Sequence, residues 1–169
     1  MPRKLIAATA ASLSLFGGVA LADQAEISRS ITDIAAGADR GDWTRVRAAM
    51  APEITTDYTS LWDGEPVTQP ADELVGVWSG FLPFFDVTHH MVTNHTITSL
   101  EGDTATAEAD FTATHRIDDK LWTLGGRYAY TLERAEDRWL VSSMTMTALW
   151  ETGDRGLVAV AGERAAAAK

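Results

Sequence analysis

The sequence predicts an α+β domain in which a curved antiparallel sheet wraps around three N-terminal helices. In the first half, apolar residues recur at helical spacing over 26–38, over 43–50 and from residue 70 onward. In the second half, short turns separate four long strand-like segments, 88–100, 104–115, 121–133 and 139–150. Helices followed by a run of antiparallel strands are typical of an α+β domain. Long strands with a strong twist would curl around the helices and leave a cavity at one end.

The N-terminus has the pattern of a secretory signal. Arg3 and Lys4 precede an apolar run over 5–21, and Ala20-Leu21-Ala22 fits a cleavage site. The alternative is a membrane anchor, but the run is short for a span and Gly17-Gly18 interrupts it. We expect residues 1–22 to be removed and the protein to be periplasmic or secreted. Residues 23–153 then form a single domain, and 154–169 form a flexible tail.

The composition restricts the partners and the chemistry. The chain has 24 acidic and 14 basic residues, a formal net charge of −10 and no cysteine. An acidic chain of this kind should avoid nucleic acid and, after cleavage, anionic membranes. The absence of cysteine excludes disulfides, thiol catalysis and cysteine metal sites.

The N-terminal helices carry recognisable boundary signals. Ile27, Ile31 and Ile34 give the first helix one apolar face, with polar residues opposite. Gly41 can take the left-handed conformation that ends a helix, and Asp42 can cap the next one. Further on, 54–61 reads as a short strand that forms a hairpin with 65–69, and Pro70 suits the start of the third helix. The apolar stripe of that helix is Leu74, Val77, Trp78 and Phe81.

The segment from Thr88 opens the β-rich half and carries candidate chemistry. Side chains alternate faces along a strand, so residues two apart share a face. One predicted face therefore holds His90, Val92 and Asn94, and the other, read as outward or interfacial, holds His89, Met91, Thr93 and His95.

The next strand shows the clearest alternation in the chain. Its apolar face ends with His115, which should point inward, and is otherwise made of Phe111 and the small residues Ala105, Ala107, Ala109 and Ala113. Alanine side chains leave room, so we expect a cavity above this face. The alternative is that large side chains from the helices fill that room.

Several motifs in order resemble the SnoaL-like family of the nuclear-transport-factor-2-like superfamily, and within it the scytalone dehydratases. The resemblance covers about residues 26–152. The matching pieces are Asp39 to Arg47, Ala51-Pro52, Asp57-Tyr58-Thr59-Ser60, Pro70 to Gly76, Thr88-His89-His90 and His115.

The resemblance implies a cone of curved sheet around helices, a deep pocket, and dehydration of a hydroxyl beta to a carbonyl without metal or organic cofactor. By position, Asp39 would orient a histidine, Tyr58 would hold a water against the substrate carbonyl, and His90 and His115 would be the pocket histidines. The chain departs from the family at Ala38, where a second tyrosine is expected. It also departs near Ala129 and Thr131, which stand in place of a serine and an asparagine.

These residues suit acid–base chemistry. An imidazole can take and return a proton near neutral pH, and a neighbouring carboxylate fixes its tautomer. We therefore expect a cofactor-free lyase or isomerase in which His90 is the base and Asp39 orients it, with Tyr58 and His115 assisting. The predicted substrate-binding residues are Asn94, Val92, Phe111, Trp78, Met144 and Met146.

Other readings remain open at the level of sequence. The same pocket would suit a binding protein without catalysis, or the sheet would serve mainly for self-association, to which Trp122, Tyr128 and Trp150 would contribute. A metal site is disfavoured because His89 and His90 point to opposite faces and no His-x-His or His-x-x-x-His pair occurs. We expect a small-molecule ligand, no metal, and a homo-oligomer.

Overall fold

The computed structural model describes residues 13–168, and side chains from residue 21 onward. Of the predicted signal segment, 1–22, residues 1–12 therefore lie outside the described residues, and residues 13–22 are described as helix. The helices are α1 (Leu13–Arg40), α2 (Trp43–Ala48), α3 (Thr59–Trp62), α4 (Ala71–Ser79) and α5 (Leu157–Ala167). The strands are β1 (Met50–Asp57), β2 (Val67–Pro70), β3 (Val87–Glu101), β4 (Thr104–Ile117), β5 (Lys120–Ala135) and β6 (Arg138–Gly153), and a 3₁₀ turn spans Leu82–Phe84.

The strands form one sheet in the order β2-β1-β6-β5-β4-β3. Strands β3 to β6 are the predicted antiparallel meander. The predicted hairpin is present as β1 and β2, but β1 also pairs in parallel with β6 and so extends the sheet. The predicted first strand, 54–61, is shifted toward the N-terminus, because β1 begins at Met50 and the one-turn helix α3 replaces its predicted end. Within residues 13–168, no helix has both the length and the hydrophobicity needed to span a bilayer.

The junction between α1 and α2 follows the predicted boundary signals. Gly41 has a φ of 65°, and the N–H groups of Gly41 and Asp42 donate back to carbonyls of the last turn of α1. The Asp42 carboxylate accepts the backbone N–H of Arg45 at 3.1 Å and caps α2. This turn fixes the C-terminal end of α1, where Asp39 lies.

The alternation of β4 and β5 is confirmed by burial, and it defines the inner face of the sheet. Ile27, Ile31 and Ile34 of α1 pack in the core with this face. Trp122 and Tyr128 are buried there, with 3% and 8% of their surfaces exposed. They are therefore not available for contact between subunits, contrary to the prediction, whereas Trp150 is half exposed.

Strand β3 contains a bulge that the sequence pattern did not reveal. The pairing with β4 shifts between Thr93 and Thr96, and Asn94 has a φ of 56°. Asn94 is exposed, and its side-chain amide donates to Asp110 at 2.8 Å. The expectation that Asn94 shares the face of His90 is therefore wrong, because the extra residue breaks the two-residue period. The same shift brings His95 to a half-buried position instead of an outward one.

The C-terminal segment is a packed helix and not the flexible tail that was expected. Leu157 and Ala161 of α5 are buried in the core. Arg164 donates to the carbonyl of Phe84 at 3.2 Å and to the Asp86 carboxylate at 2.8 Å. The alanine-rich composition does not predict this packing, because small residues are compatible both with a closely packed helix and with a frayed end.

Replacing Ala161 with Asp tests the packing of α5. A carboxylate at this fully buried position finds no partner, so we expect the free energy of unfolding to fall by about 2 kcal/mol or more. The matched control is Ala159→Asp, at an exposed position of the same helix. Urea denaturation of the two variants measures the difference, and equal stabilities would show that α5 does not pack as described.

Candidate functional site

A cavity of about 380 Å³ lies between the inner face of the sheet and the helices. Of the four alanines of β4 that were expected to make room, only Ala113 lines it. Aromatic and aliphatic side chains form most of its wall. The lining is Ile31, Ile34, Ala35, Ala38, Thr56, Tyr58, Leu61, Trp62, Val67, Gln69, Leu74, Val77, Trp78, Phe81, Leu82, Phe85, His90, Val92, Ala113, His115, Trp122, Leu124, Tyr128, Tyr130, Met144, Met146 and Val158.

The cavity opens beside α3, β2 and α4. Trp62, Val67 and Val77 line it and are also about half exposed or more, so they mark the opening. Among the described residues, no Asp, Glu, Lys or Arg side chain lines the cavity. A charged ligand would find no counter-ion in this wall, so the cavity favours an uncharged ligand.

His90 and Asp39 form the most closely held polar contact of the site. Asp39 lies in the last turn of α1, and its Oδ1 is 2.6 Å from His90 Nδ1. Its Oδ2 accepts the backbone N–H of His90 at 2.6 Å, and its Oδ1 also accepts the Thr88 hydroxyl at 3.0 Å. One carboxylate therefore fixes both the backbone and the ring of His90.

The Asp39 carboxylate is held in its ionised form. Burial would raise its pKa, but the hydrogen bonds and the charge from His90, together with the Thr88 hydroxyl, outweigh it and hold the pKa below its usual range. An ionised carboxylate only accepts hydrogen bonds, so Nδ1 of His90 carries the proton between the two groups. In the neutral form of the ring, the unprotonated nitrogen is then Nε2, and His90 lines the cavity.

His115 lies beside His90 but in a different environment. Their ring centroids are 5.3 Å apart and nearly perpendicular, and the His115 ring stacks on Trp122 at 4.9 Å. Burial, with the nearby His90, lowers the pKa of His115 to about 4. Its Nδ1 is buried and has no hydrogen-bond partner among the described residues. His115 is thus a neutral imidazole at pH 7 with one nitrogen unpaired.

Tyr58 lies where β1 gives way to α3, and it lines the cavity. Burial and the neighbouring Tyr128 and Tyr130 raise the pKa of Tyr58 well above its usual value, so its hydroxyl stays protonated. The sequence comparison had pointed to Ala129 and Thr131 on β5. Those two lie on the outer side of the strand, and the inner positions are Tyr128 and Tyr130.

The predicted substrate-binding residues divide into two groups. Trp78, Val92, Met144 and Met146 line the cavity, whereas Phe111 and Asn94 do not. Phe111 is buried against Tyr128, with ring centroids 4.4 Å apart, so it supports the wall from behind.

Sequence reasoning missed Tyr128 and Tyr130 as site residues. The signal was present, because both alternate with polar residues on the same face of β5 as Trp122 and Leu124. Within the described residues, no group of three or more His, Asp or Glu side chains is arranged to hold a metal ion.

Comparison with protein families gives one match over most of the chain. The model of the SnoaL-like domain matches residues 19–145. No curated protein sequence gives a significant match.

Solved structures with a similar fold cover most of the chain. The Kfla4162 protein from Kribbella flavida is 26% identical, with a TM-score of 0.74, and the match covers 85% of this chain and 99% of that one. A candidate scytalone dehydratase from Novosphingobium aromaticivorans is 18% identical, with a TM-score of 0.71 and coverage of 82% and 92%. The hexachlorocyclohexane dehydrochlorinase LinA-type3 from Novosphingobium barchaimii is 19% identical, with a TM-score of 0.65 and coverage of 81% and 93%.

His115 predicts a specific loss of stability in acid. Its pKa is about 4 in the folded protein and 6.5 ordinarily, so the unfolded chain takes up the proton first as the pH falls. The contribution of the neutral His115 ring to the free energy of unfolding is complete above pH 6.5. It is lost as the pH falls from 6.5 to 4, a change of about 3 kcal/mol.

The variant His115→Phe should lack this component while keeping the stacking on Trp122. Urea denaturation of both proteins at pH 7 and pH 4 gives the comparison. An identical pH dependence in the two proteins would contradict a buried neutral His115.

Proposed function

This chain belongs to the SnoaL-like domain family, and from that premise we propose that it is a cofactor-free lyase of the dehydratase type, or an isomerase. Its reaction removes a proton alpha to a carbonyl of a small, uncharged and cyclic hydroxylated substrate. The observation that carries this proposal is the contact of 2.6 Å between Asp39 and His90 at the wall of an apolar cavity.

In the proposed reaction, Nε2 of His90 takes the proton from the carbon. The electron pair of that C–H bond moves toward the carbonyl and gives an enolate. Asp39 stabilises the imidazolium that forms, since its carboxylate is already ionised and bonded to Nδ1. In dehydration, the beta C–O bond then breaks, the enolate electrons form the C=C bond, and the imidazolium returns its proton to the leaving hydroxyl, which departs as water. In isomerisation, the proton returns to a carbon instead.

Tyr58 and His115 have supporting roles in this proposal. Tyr58 offers a hydroxyl, directly or through a water, to the oxygen on which negative charge develops. His115 stays neutral and therefore does not repel the imidazolium form of His90.

The names of similar structures agree with an elimination reaction. A candidate scytalone dehydratase and a hexachlorocyclohexane dehydrochlorinase share the fold, although each is less than 20% identical to this chain. Both names denote loss of a small molecule from an uncharged ring compound. Here the lining, in which the described residues place no Asp, Glu, Lys or Arg side chain, suits the same class of ligand.

The second candidate function is a non-catalytic carrier of a small apolar molecule. The apolar and aromatic lining supports it, because such a wall retains a ligand without any chemistry. Ala38 supports it as well, since the family pattern expects a tyrosine at this position.

Deuterium exchange tests the lyase proposal without requiring the natural substrate. The protein is incubated in D₂O with a panel of β-hydroxy ketones, phenolic ketones and enones, and incorporation and loss of water are followed by mass spectrometry. We expect the exchange rate of His90→Gln to be about 10²- to 10⁴-fold lower than that of the wild type, because the general base is lost. Asp39→Asn should also slow exchange, since it removes the charge that stabilises the imidazolium.

His89→Gln is the matched control, because His89 is exposed and lies on the opposite face of β3. It should exchange at the wild-type rate. Equal rates in His90→Gln and the wild type would remove His90 from the mechanism. Unchanged recovery of a tightly bound ligand, without exchange of any compound, would favour the carrier.

A further inference from the structure

The three tyrosines of the sequence all line the same cavity. They are Tyr58, Tyr128 and Tyr130. Tyr128 and Tyr130 are buried, with 8% and 4% of their surfaces exposed, and Tyr58 is partly buried. The mechanism above uses only Tyr58, so the other two phenols remain to be explained.

The sheet register explains how three residues distant in sequence meet. On β6, Met144 pairs with Tyr130 and Met146 pairs with Tyr128. On its other side, Met144 pairs with Thr56 of β1, two residues before Tyr58. The Ser60 hydroxyl donates to the Met146 carbonyl at 2.7 Å and ties the start of α3 to β6. The phenols therefore reach the cavity from neighbouring parts of one wall.

The phenol hydroxyls are available to a ligand. None of the three hydroxyls makes a hydrogen bond with another of the described residues. None of them belongs to the polar side-chain atoms that are both shielded from solvent and without a partner, so each hydroxyl can still be reached. A buried hydroxyl without a protein partner costs free energy unless water or a ligand satisfies it. The three hydroxyls thus form a set of donors that the protein itself does not use.

The three hydroxyls also remain protonated. Burial raises the pKa of each phenol well above its usual value, and the neighbouring phenols add to the effect for Tyr58 and Tyr130. A phenol in this state donates a hydrogen bond but does not give up its proton at neutral pH. It therefore binds an oxygen acceptor and does not act as an acid.

We propose that Tyr58, Tyr128 and Tyr130 form a binding site for the oxygen of an uncharged, ring-containing ketone or enone. Their hydroxyls bind this oxygen directly or through a water. This inference rests on the proposed function and narrows its substrate class. A phenol hydroxyl donates a hydrogen bond to a neutral carbonyl oxygen, and this bond strengthens as negative charge develops on the oxygen. A carboxylate or phosphate would instead be buried without a counter-ion, because no cationic side chain among the described residues lines the cavity.

The aromatic walls fit the same ligand class. Trp78, Phe81 and Trp122 line the cavity and offer flat apolar surfaces to a ring. The cavity of about 380 Å³ is of the size that holds small molecules of one or two rings. Saturated rings without oxygen would bind to these walls but leave the phenols unpaired.

A matched pair of probes tests this site. The compounds 1-tetralone and tetralin share two fused rings and differ at the carbonyl, and quenching of tryptophan fluorescence reports the binding of each. We expect the wild type to prefer 1-tetralone, and each of Tyr128→Phe and Tyr130→Phe to reduce that preference by about 3- to 10-fold. The double variant should keep only the smaller preference for 1-tetralone that Tyr58 provides, with unchanged affinity for tetralin, because phenylalanine keeps the ring and removes only the hydroxyl.

His90→Gln is the control that separates this inference from the proposed reaction. It should keep the preference for 1-tetralone while losing deuterium exchange. A wild-type protein that binds the two probes equally, or binds neither, overturns the oxygen site. A double variant that melts at the wild-type temperature and keeps the full preference overturns it as well. Loss of the preference in the tyrosine variants, with exchange that does not depend on His90, would support the oxygen site and refute the lyase.

Discussion

The site depends on one carboxylate at the end of a helix. Strand β3 is the edge of the sheet, so some of its N–H groups have no strand partner. Asp39 accepts one of them, from His90, and also binds the His90 ring and the Thr88 hydroxyl. Hydrogen bonds to a charged group each contribute about 1.5–3 kcal/mol. The contact therefore fixes the end of α1 against the sheet and sets the tautomer of the imidazole at the same time.

The two histidines of the cavity wall, His90 and His115, have different surroundings and therefore different hydrogen-bonding roles. His90 is bonded to a carboxylate, whereas His115, with its ring centroid 5.3 Å away, is buried among aromatic rings and stays neutral because its pKa is lowered to about 4. Two adjacent imidazoles thus have separate capabilities, one as a base with a counter-ion and one as a neutral hydrogen-bonding group. No Asp, Glu, Lys or Arg side chain from the described part of the chain lines the cavity, which strengthens each of these polar contacts.

Much of this arrangement could be predicted from local sequence patterns. The α1–α2 turn followed from Gly41 and Asp42, and the inner face of β4 followed from strict alternation. The bulge at Asn94 could not be predicted, because asparagine in the left-handed conformation leaves no periodic signal and shifts every later residue of β3. The packing of α5 depends on Arg164 reaching Asp86 and Phe84, contacts between residues about 80 positions apart that only the folded chain brings together.

The protonation of His90 is the most direct test of this account. NMR spectroscopy of protein labelled with ¹⁵N in histidine, assigned with His90→Gln, distinguishes the two ring nitrogens. The account predicts that the neutral ring carries its proton on Nδ1, hydrogen-bonded to Asp39, and leaves Nε2 unprotonated, with this preference weakened in Asp39→Asn. A proton on Nε2 and none on Nδ1 would contradict it, because His90 would then present no base to the cavity.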